Sequence, residues 1–232
     1  MRALLLAAGR GERLRPRTDT RAKPLLRVAG RLLIEWQIGA LVRAGIREIV
    51  INTAHLAEQI ESTLGDGSRY GAQLLYSREG TQAGDALETL GGIVHALPLL
   101  GAEPFVVASS DIMTDYDYTA LRAPAQRIGA GLADGFLLLV DNPEYHPQGD
   151  MGLRADATAG VAWATRTAPW FTYANIGVLA PRLFAGRAAV REKLFPWLFG
   201  AVEQGRIEAN HWSGRWCNVG TAQELARVDK IW

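Results

Sequence analysis

The 232-residue sequence has one cysteine, almost no net charge and no long apolar run. The single cysteine, Cys217, excludes an internal disulfide and a zinc site built from several cysteines. A net charge of +1 argues against a broad basic surface for nucleic acid or membranes. No apolar run approaches the ~18 residues of a membrane span. The apolar stretch after Arg2 is also too short for a secretory signal. These absences favour a cytoplasmic enzyme that binds neither nucleic acid nor membranes.

Short apolar runs alternate with stretches of helical spacing in the first half of the chain. The runs at residues 48–52, 73–76 and 105–108 predict strands, and residues 32–42, 54–64 and 87–97 predict helices, the last ended by Pro98. This alternation predicts a Rossmann-like α/β domain, with a mainly parallel sheet and helices on both faces. The second half predicts strands at 136–140, 171–178 and 206–212, a small antiparallel flap over 141–163, and helices at 190–202 and 222–231. We expect one domain over residues 1–232.

The chain is organised around residues 4–26, where an apolar strand runs into Gly9-Arg10-Gly11. Two glycines around one residue allow a tight turn whose N–H groups face an anion. Arg13 and Lys23 follow, which favours a phosphate-binding loop over an ordinary loop with solvated charges. A dinucleotide fingerprint is excluded because Leu14 occupies the place of its third glycine. A P-loop is excluded because its Gly-Lys-Ser/Thr is missing.

The whole loop resembles the signature of the sugar-1-phosphate nucleotidylyltransferases, L-x-A-G-x-G-x-R-L-x-P followed by K-P-L. The matching residues are Leu6, Ala8, Gly9, Gly11, Arg13, Leu14, Pro16, Lys23, Pro24 and Leu25. The resemblance implies a glycosyltransferase-A-like fold that transfers a nucleotidyl group from a nucleoside triphosphate to a sugar 1-phosphate, with Mg²⁺ as cofactor. It further implies that Leu6, Ala8, Gly9 and Gly11 bind the nucleotide. By the same resemblance, Arg13 holds the β- and γ-phosphates and Lys23 the α-phosphate.

Two positions correspond to the family's metal ligands. Asp111 follows an apolar strand and is in register with the family's Gly-Asp, although Ser110 replaces the glycine. Asn218 stands before Val-Gly-Thr, where the family has aspartate. An amide oxygen still coordinates Mg²⁺, so the resemblance implies a site formed by Asp111 and Asn218. The alternatives are a loop or capping aspartate at 111 and a plain turn residue at 218; Asp115 and Asp117 are weaker metal candidates.

Further segments match the family's base and sugar contacts. Glu79 and Gly80 correspond to the loop that reads the base, and residues 81–86 are longer than in the nearest relatives. Glu88 begins a segment similar to E-T-G-G-G, with Leu90 in place of a glycine. The resemblance implies that Glu88, Asp141 and Asn175 bind the sugar. Asp141 could instead initiate a turn before proline. Asn175 could instead be a satisfied core amide. The four histidines have no metal-ligand spacing and are assigned no chemistry.

Within the family, the segments at 48–52, 64–69, 114–117 and 140–143 are most similar to bacterial uridylyltransferases of cell-wall (peptidoglycan) recycling. This implies UTP and N-acetylmuramate α-1-phosphate as substrates. It also implies a nucleotide-binding part over about residues 1–115, a sugar-binding part and flap over about 116–232, and a monomer or homodimer. Mannose 1-phosphate with GTP, and glucose 1-phosphate with dTTP, are alternatives. A non-catalytic regulatory relative that only binds a nucleotide-sugar is a third.

Overall fold

The computed structural model describes residues 1–80 and 84–232, so residues 81–83 of the expected longer loop lie outside the described residues. The strands are β1 (Ala3–Leu6), β2 (Arg27–Val28), β3 (Arg31–Leu32), β4 (Glu48–Thr53), β5 (Gln73–Arg78), β6 (Phe105–Ser109), β7 (Ile112–Thr114), β8 (Gly135–Val140), β9 (Gly152–Asp156), β10 (Val161–Thr165), β11 (Thr172–Leu179), β12 (Ile207–Trp212) and β13 (Trp216–Asn218). The α-helices are α1 (Arg17–Thr20), α2 (Leu33–Arg43), α3 (Ala57–Leu64), α4 (Glu88–Leu100), α5 (Arg122–Gly129), α6 (Leu194–Trp197), α7 (Phe199–Glu203) and α8 (Ala222–Ile231).

The main sheet has the strand order β5-β4-β1-β6-β11-β8-β12-β10-β9. Strands β5, β4, β1 and β6 are parallel, and β12 is parallel to β8. Strand β11 lies between β6 and β8 and is antiparallel to both. The hairpin of β9 and β10 continues the sheet beyond β12, where Trp163 pairs with Glu208. The predicted mixed, mainly parallel sheet is therefore confirmed, and its antiparallel flap is the outer edge of that same sheet.

Strand β1 lies at the switch point of the sheet. It is flanked by β4, which follows α2 in the chain, and by β6, which comes later. Ligands of open α/β sheets bind at the carboxyl ends of strands beside such a reversal. Strands β1, β4 and β6 end at Leu6, Thr53 and Ser109, all on one edge because the three are parallel. A second ribbon of β7 and β13 lies just beyond the end of β6.

Helices cover both faces of the sheet because the strands are apolar on both faces. Leu5 and Ile51 face a cluster with residues of α2, α3 and α5, whereas Leu4 and Val50 face a cluster with residues of α4, α6 and α7. All four side chains are 0% exposed. Burial of each such Leu, Val or Ile contributes about 1.5–3 kcal/mol. A third, smaller cluster joins α8 to β7 and β13. None of the helices in the described residues has the length and apolar character needed to cross a membrane.

Two helix predictions need correction, both at prolines. The helix expected to stop at Pro98 continues to Leu100, whose burial in the core holds the last turn. The helix expected over 190–202 is replaced by an irregular segment followed by the short α6 and α7. Pro196 disfavours helical dihedrals at the preceding residue, and Phe195 accordingly has φ −105° and ψ 138°. The final helix is confirmed, with a capping box between Thr221 and Glu224.

Candidate active site

A cavity of about 690 Å³ opens at the carboxyl ends of β1, β4 and β6. Its lining includes the predicted nucleotide-binding residues with the exception of Gly80, namely Leu6, Ala8, Gly9, Gly11, Arg13, Lys23 and Glu79. Asp111 also lines it, so the cavity brings together Arg13 and Lys23, expected to bind the phosphates, and the expected metal ligand Asp111. Gly80 lies beside it and packs against Asp85. The strand-to-loop segment identified from sequence is therefore one wall of a cavity large enough for a nucleotide.

The turn after β1 depends on glycine at position 11. Gly11 has φ +66°, in the left-handed region that other residues rarely adopt. A Cβ there would lie 3.0 Å from Thr18 Cγ2 and 3.1 Å from Lys23 Cβ. The buried Thr18 hydroxyl donates to the Gly11 carbonyl at 2.9 Å, which fixes the turn. Gly11 thus allows the loop to pack directly against the side chain of Lys23.

Lys23 and Asp111 form an ion pair that lines the cavity and is called the cavity floor below. The Lys23 ammonium donates to Asp111 Oδ2, and their side chains are 12% and 21% exposed. Arg13 lies nearer to solvent, and its guanidinium packs against the backbone of Gly220, in the turn after β13. Lys23 is therefore a shielded cation beside a carboxylate, whereas Arg13 is exposed at the rim; Arg10 and Arg191 also line the cavity.

The β7–β13 ribbon brings Asn218 next to Asp111. Asn218 pairs in register with Ile112, and the Val219 N–H donates to the Asp111 carbonyl at 2.9 Å. In the part of the chain that the structure describes, the buried Asn218 Oδ1 has no hydrogen-bond partner. An unpaired buried carbonyl oxygen is costly unless it is kept for a ligand. A carboxylate and a free amide oxygen on neighbouring backbone positions are the hard oxygen ligands that Mg²⁺ prefers.

Glu79 is the centre of a hydrogen-bond network below the expected base loop. Its carboxylate accepts from the Leu87 N–H at 2.7 Å and from the Asn52 side-chain amide. Asn52 in turn accepts from the Ala7 N–H at 2.6 Å, which links β4 to the end of β1. Burial raises the pKa of Glu79, against the lowering effect of these hydrogen bonds. A Cβ at Gly92 would lie 2.3 Å from Glu79 Oε1, so only glycine lets α4 approach this carboxylate.

A second cavity of about 360 Å³ adjoins the first and shares Glu88 and Thr89 with it. Glu88 and Asn175, two of the expected sugar-binding residues, line it together with Asn218. Both Glu88 and Asn175 have positive φ, 61° and 57°. In β11 the register shifts between Tyr173 and Gly177, and Asn175 lies in this bulge. Strained backbone of this kind concentrates at ligand sites, where it directs a side chain.

Other candidates lie away from the cavities. Asp141 is 75% exposed, pairs with His211 at 2.8 Å and lines neither cavity. Asp115 pairs with Arg215 at 3.2 Å. Asp117, a weaker metal candidate, caps the following turn by accepting from the Thr119 N–H at 2.9 Å.

Several cavity residues were not identified from the sequence. Asn52 is one, although its place at the carboxyl end of a predicted strand was a usable signal. His146 and Asp150 are others: they pair at 3.2 Å in the second cavity, where Asp150 also accepts from the Tyr173 N–H at 2.7 Å. Tyr145 lines the same cavity. Desolvation of its hydroxyl, reinforced by the Glu224 carboxylate, raises the pKa of Tyr145 to about 12. It therefore remains a hydrogen-bond donor at neutral pH.

Comparisons with known proteins bear on the family of this chain. The family model described as nucleotidyl transferase matches residues 2–147. The chain is 45% identical, over 100% of its length and 98% of the relative's, to N-acetylmuramate alpha-1-phosphate uridylyltransferase of Neisseria meningitidis serogroup B. It is 34% identical to a protein of the same name from Caulobacter vibrioides, over 95% of this chain and 92% of that one. More distant relatives are named as mannose-1-phosphate guanylyltransferase and glucose-1-phosphate thymidylyltransferase.

The fold is shared with a solved structure as well. A chain named as glucose-1-phosphate thymidylyltransferase from Bacillus anthracis, in complex with a sucrose, superposes with a TM-score of 0.80. The match covers 100% of this chain and 94% of that chain at 19% sequence identity, a level that shows the fold alone. The glycine loop, the Lys23–Asp111 floor and the full-length sequence similarity lead to one conclusion: the chain belongs to the nucleotidyl transferase family.

Proposed function

We propose that the protein transfers the uridylyl group of UTP to N-acetylmuramate α-1-phosphate, giving UDP-N-acetylmuramate and pyrophosphate. The observation that carries this proposal is the pair of adjoining cavities, with Lys23 and Asp111 in the first and Asn218 in the second. One cavity has the size and glycine loop for a nucleoside triphosphate, and the other suits a sugar. The names of the relatives from Neisseria meningitidis and Caulobacter vibrioides support these two substrates.

In the proposed reaction a phosphate oxygen of the sugar 1-phosphate attacks the α-phosphorus of UTP. A new P–O bond forms as the bond from the α-phosphorus to the bridging oxygen breaks, and pyrophosphate leaves with that electron pair. Such a displacement depends on positioning and charge neutralisation rather than on a protein nucleophile. Lys23, held rigidly at the cavity floor, binds the α-phosphate as its charge builds. Arg13, exposed at the rim, binds the β- and γ-phosphates.

Asp111 and Asn218 would hold Mg²⁺, which when bound neutralises phosphate charge. The unpartnered Asn218 Oδ1 and the adjacent Asp111 carboxylate fit such an ion. Among the described residues no group of three or more His, Cys, Asp or Glu is placed to hold a metal ion. The triphosphate therefore supplies most of the remaining ligands. The Lys23 ammonium donates to Asp111 Oδ2, so Lys23 and the ion would compete for the same carboxylate.

The base is proposed to be read at Glu79 and Gly80, next to the network that Asn52 and Leu87 complete. Groups that pair with a pyrimidine edge are left unpaired by a purine, and unpaired buried groups are costly. UTP is therefore preferred to GTP. Glu88 and Asn175 contact the sugar; Asp141, which lines neither cavity, contributes through the loop that begins there.

The remaining proposals concern the context of the reaction. The protein acts in the cytoplasm, where nucleoside triphosphates are supplied, as part of the recycling of cell-wall sugars. The net charge of +1 supports the absence of a nucleic-acid or membrane partner. The chain works as one domain, with the nucleotide in about residues 1–115 and the sugar in about 116–232, as a monomer or homodimer. The continuous nine-stranded sheet, with strands from both parts, supports the single domain.

The test is pyrophosphate release with UTP, GTP, dTTP and ATP, each against N-acetylmuramate, mannose and glucose 1-phosphates. We expect the highest kcat/KM with UTP and N-acetylmuramate α-1-phosphate. Asp111→Asn should abolish turnover, whereas the matched control Asp115→Asn, which removes only an exposed ion pair with Arg215, should not. Faster turnover of GTP with mannose 1-phosphate would overturn the proposal in favour of a guanylyltransferase. Tight nucleotide-sugar binding without turnover of any pair would favour a regulatory protein.

A further inference from the structure

Lysine is rare in this chain, and two of its three lysines line the two cavities. The sequence contains only Lys23, Lys193 and Lys230 among 25 cationic residues, the others being arginines. Lys23 lies in the first cavity and Lys193 in the second. Lys230 is exposed near the end of α8. Lys23 has a role in the proposed reaction, whereas no role has been assigned to Lys193.

Lys193 belongs to the irregular segment that replaces the expected helix before α6. This segment is anchored to the start of α4: the Leu90 N–H donates to the Glu192 carbonyl at 3.0 Å, and the Glu192 N–H donates to the Leu87 carbonyl at 3.0 Å. The anchored backbone places Arg191 in the first cavity and Lys193 in the second. Residues 191 and 193 lie on either side of Glu192, whose backbone is hydrogen-bonded to the start of α4. These hydrogen bonds therefore fix the position of the Lys193 backbone.

The neighbouring cations in the chain are paired, and Lys193 is not. Arg187 pairs with Glu192, and Arg191 pairs with Glu88 at 3.5 Å. Among the residues that the structure describes, no hydrogen bond or ion pair involves Lys193. An exposed lysine without a partner is ordinary on a protein surface. An unpartnered lysine that lines a ligand cavity can pair with an anionic group of the ligand.

The acidic groups of the second cavity are already engaged. Asp150 accepts from the Tyr173 N–H and pairs with His146, and Glu88 pairs with Arg191. Among the described residues that line the cavity, one cation is therefore left without a protein counter-charge. A sugar with a carboxylate would supply that counter-charge, whereas glucose or mannose would not. N-acetylmuramate differs from N-acetylglucosamine by a lactyl ether that carries such a carboxylate.

We propose that Lys193 binds the carboxylate of the sugar substrate and selects acidic hexose 1-phosphates over neutral ones. The proposal rests on the proposed function for the identity of the sugar, and extends it to a specificity-determining residue. Asn218 enters this cavity from the β7–β13 ribbon, beside Asp111, which places the phosphate of the sugar at that wall. Lys193 enters from the segment that packs on α4, so a sugar can contact both groups at once.

The test compares Lys193→Met with the matched control Lys230→Met, using UTP with either N-acetylmuramate α-1-phosphate or N-acetylglucosamine α-1-phosphate. A charge-assisted hydrogen bond at a partly exposed site predicts about a tenfold rise in KM for the acidic sugar. We expect an unchanged KM for the neutral sugar and little change in kcat for either. Lys193→Arg should restore much of the discrimination because it keeps the charge. Lys230→Met should behave as wild type, and melting curves verify that all variants are folded.

With these two sugars, three outcomes would overturn the proposal. They are an equal loss with both sugars, which would assign Lys193 to a phosphate, unchanged discrimination in Lys193→Met, and no recovery in a folded Lys193→Arg. A wild-type protein inactive with N-acetylmuramate α-1-phosphate would instead refute the proposed function. The same variants are then compared on glucuronic acid 1-phosphate and glucose 1-phosphate. A wild-type preference for the acid that Lys193→Met abolishes supports the role of Lys193 independently, and the lack of any preference overturns it.

Discussion

Replacing Lys23 by alanine is expected to have opposite effects on turnover and on metal binding. Lys23 is the cation at the cavity floor, and its ammonium is bound to Asp111 with only 12% of its side chain exposed. Loss of a preorganised charge from a transition state typically costs about 3 kcal/mol, on the order of a hundredfold in rate. We therefore expect kcat of Lys23→Ala to fall about a hundredfold. The fold should remain intact, because the lysine side chain faces the cavity.

The same substitution frees the Asp111 carboxylate in the absence of nucleotide. A hydrogen bond between charged groups contributes about 1.5–3 kcal/mol, and part of this is lost to solvent because Asp111 is 21% exposed. The Kd of the free protein for Mg²⁺ should consequently fall about tenfold in Lys23→Ala. Isothermal titration calorimetry of Mg²⁺ into nucleotide-free protein measures this, and pyrophosphate release measures kcat.

Lys230→Ala is the control for both assays, since it removes a lysine that contacts neither cavity. Wild-type turnover in Lys23→Ala would remove Lys23 from the mechanism. A slow variant whose Mg²⁺ affinity is unchanged would show that Lys23 and the ion do not compete for Asp111. An inactive variant with a lowered melting temperature would assign the ion pair a structural role instead.

Three further predictions concern other parts of the site. Asn218→Asp should lower the Mg²⁺ concentration for half-maximal rate, because it adds a second carboxylate beside Asp111; an unchanged metal dependence would mean that Asp111 binds the ion without position 218. Gly11→Ala should lower the free energy of unfolding by about 1–3 kcal/mol, measured by urea denaturation, because φ +66° and a contact of 3.0 Å both oppose a Cβ. Because the pKa of Glu79 is raised in the folded protein, ionisation of its carboxyl lowers the free energy of unfolding near neutral pH. This loss of stability disappears as the pH falls. Protonation of Glu79 should raise the KM for UTP as the pH falls. Because the pKa of Glu79 is raised, this rise should occur at a higher pH than for an ordinary glutamate, and Glu79→Gln should abolish it.

Most of the architecture could be predicted because its signals are local. Alternating apolar strands and helices of about ten residues specify a parallel sheet, and the carboxyl ends of such strands share one edge. The glycine loop, with Asp111 beside it, could therefore be placed at this edge from the residue pattern alone. The prolines were harder to interpret. Pro98 predicted the end of a helix, but the helix continues to Leu100 because that side chain is buried. Pro196, in contrast, interrupts a helix that the apolar spacing predicted.

The second cavity was less predictable because it is assembled from distant segments. His146 and Asp150 come from the loop after β8, and Lys193 comes from the segment before α6. No local pattern joins these positions, and only tertiary packing brings them together. Asp141 shows the converse: it matches a motif, but its side chain lies on the surface beside His211. A motif match predicts the path of the backbone more reliably than it predicts the role of each side chain.

The two non-glycine residues with positive φ in the second cavity bear on how the protein can be engineered. Glu88 and Asn175 keep a backbone conformation in which glycine is more stable by about 1 kcal/mol or more. A library selected for thermal stability alone should enrich glycine at both positions and so delete two side chains that line the second cavity. Selection for product formation should restore glutamate and asparagine. The most heat-resistant variants of this chain are therefore poor starting points for changing its sugar specificity.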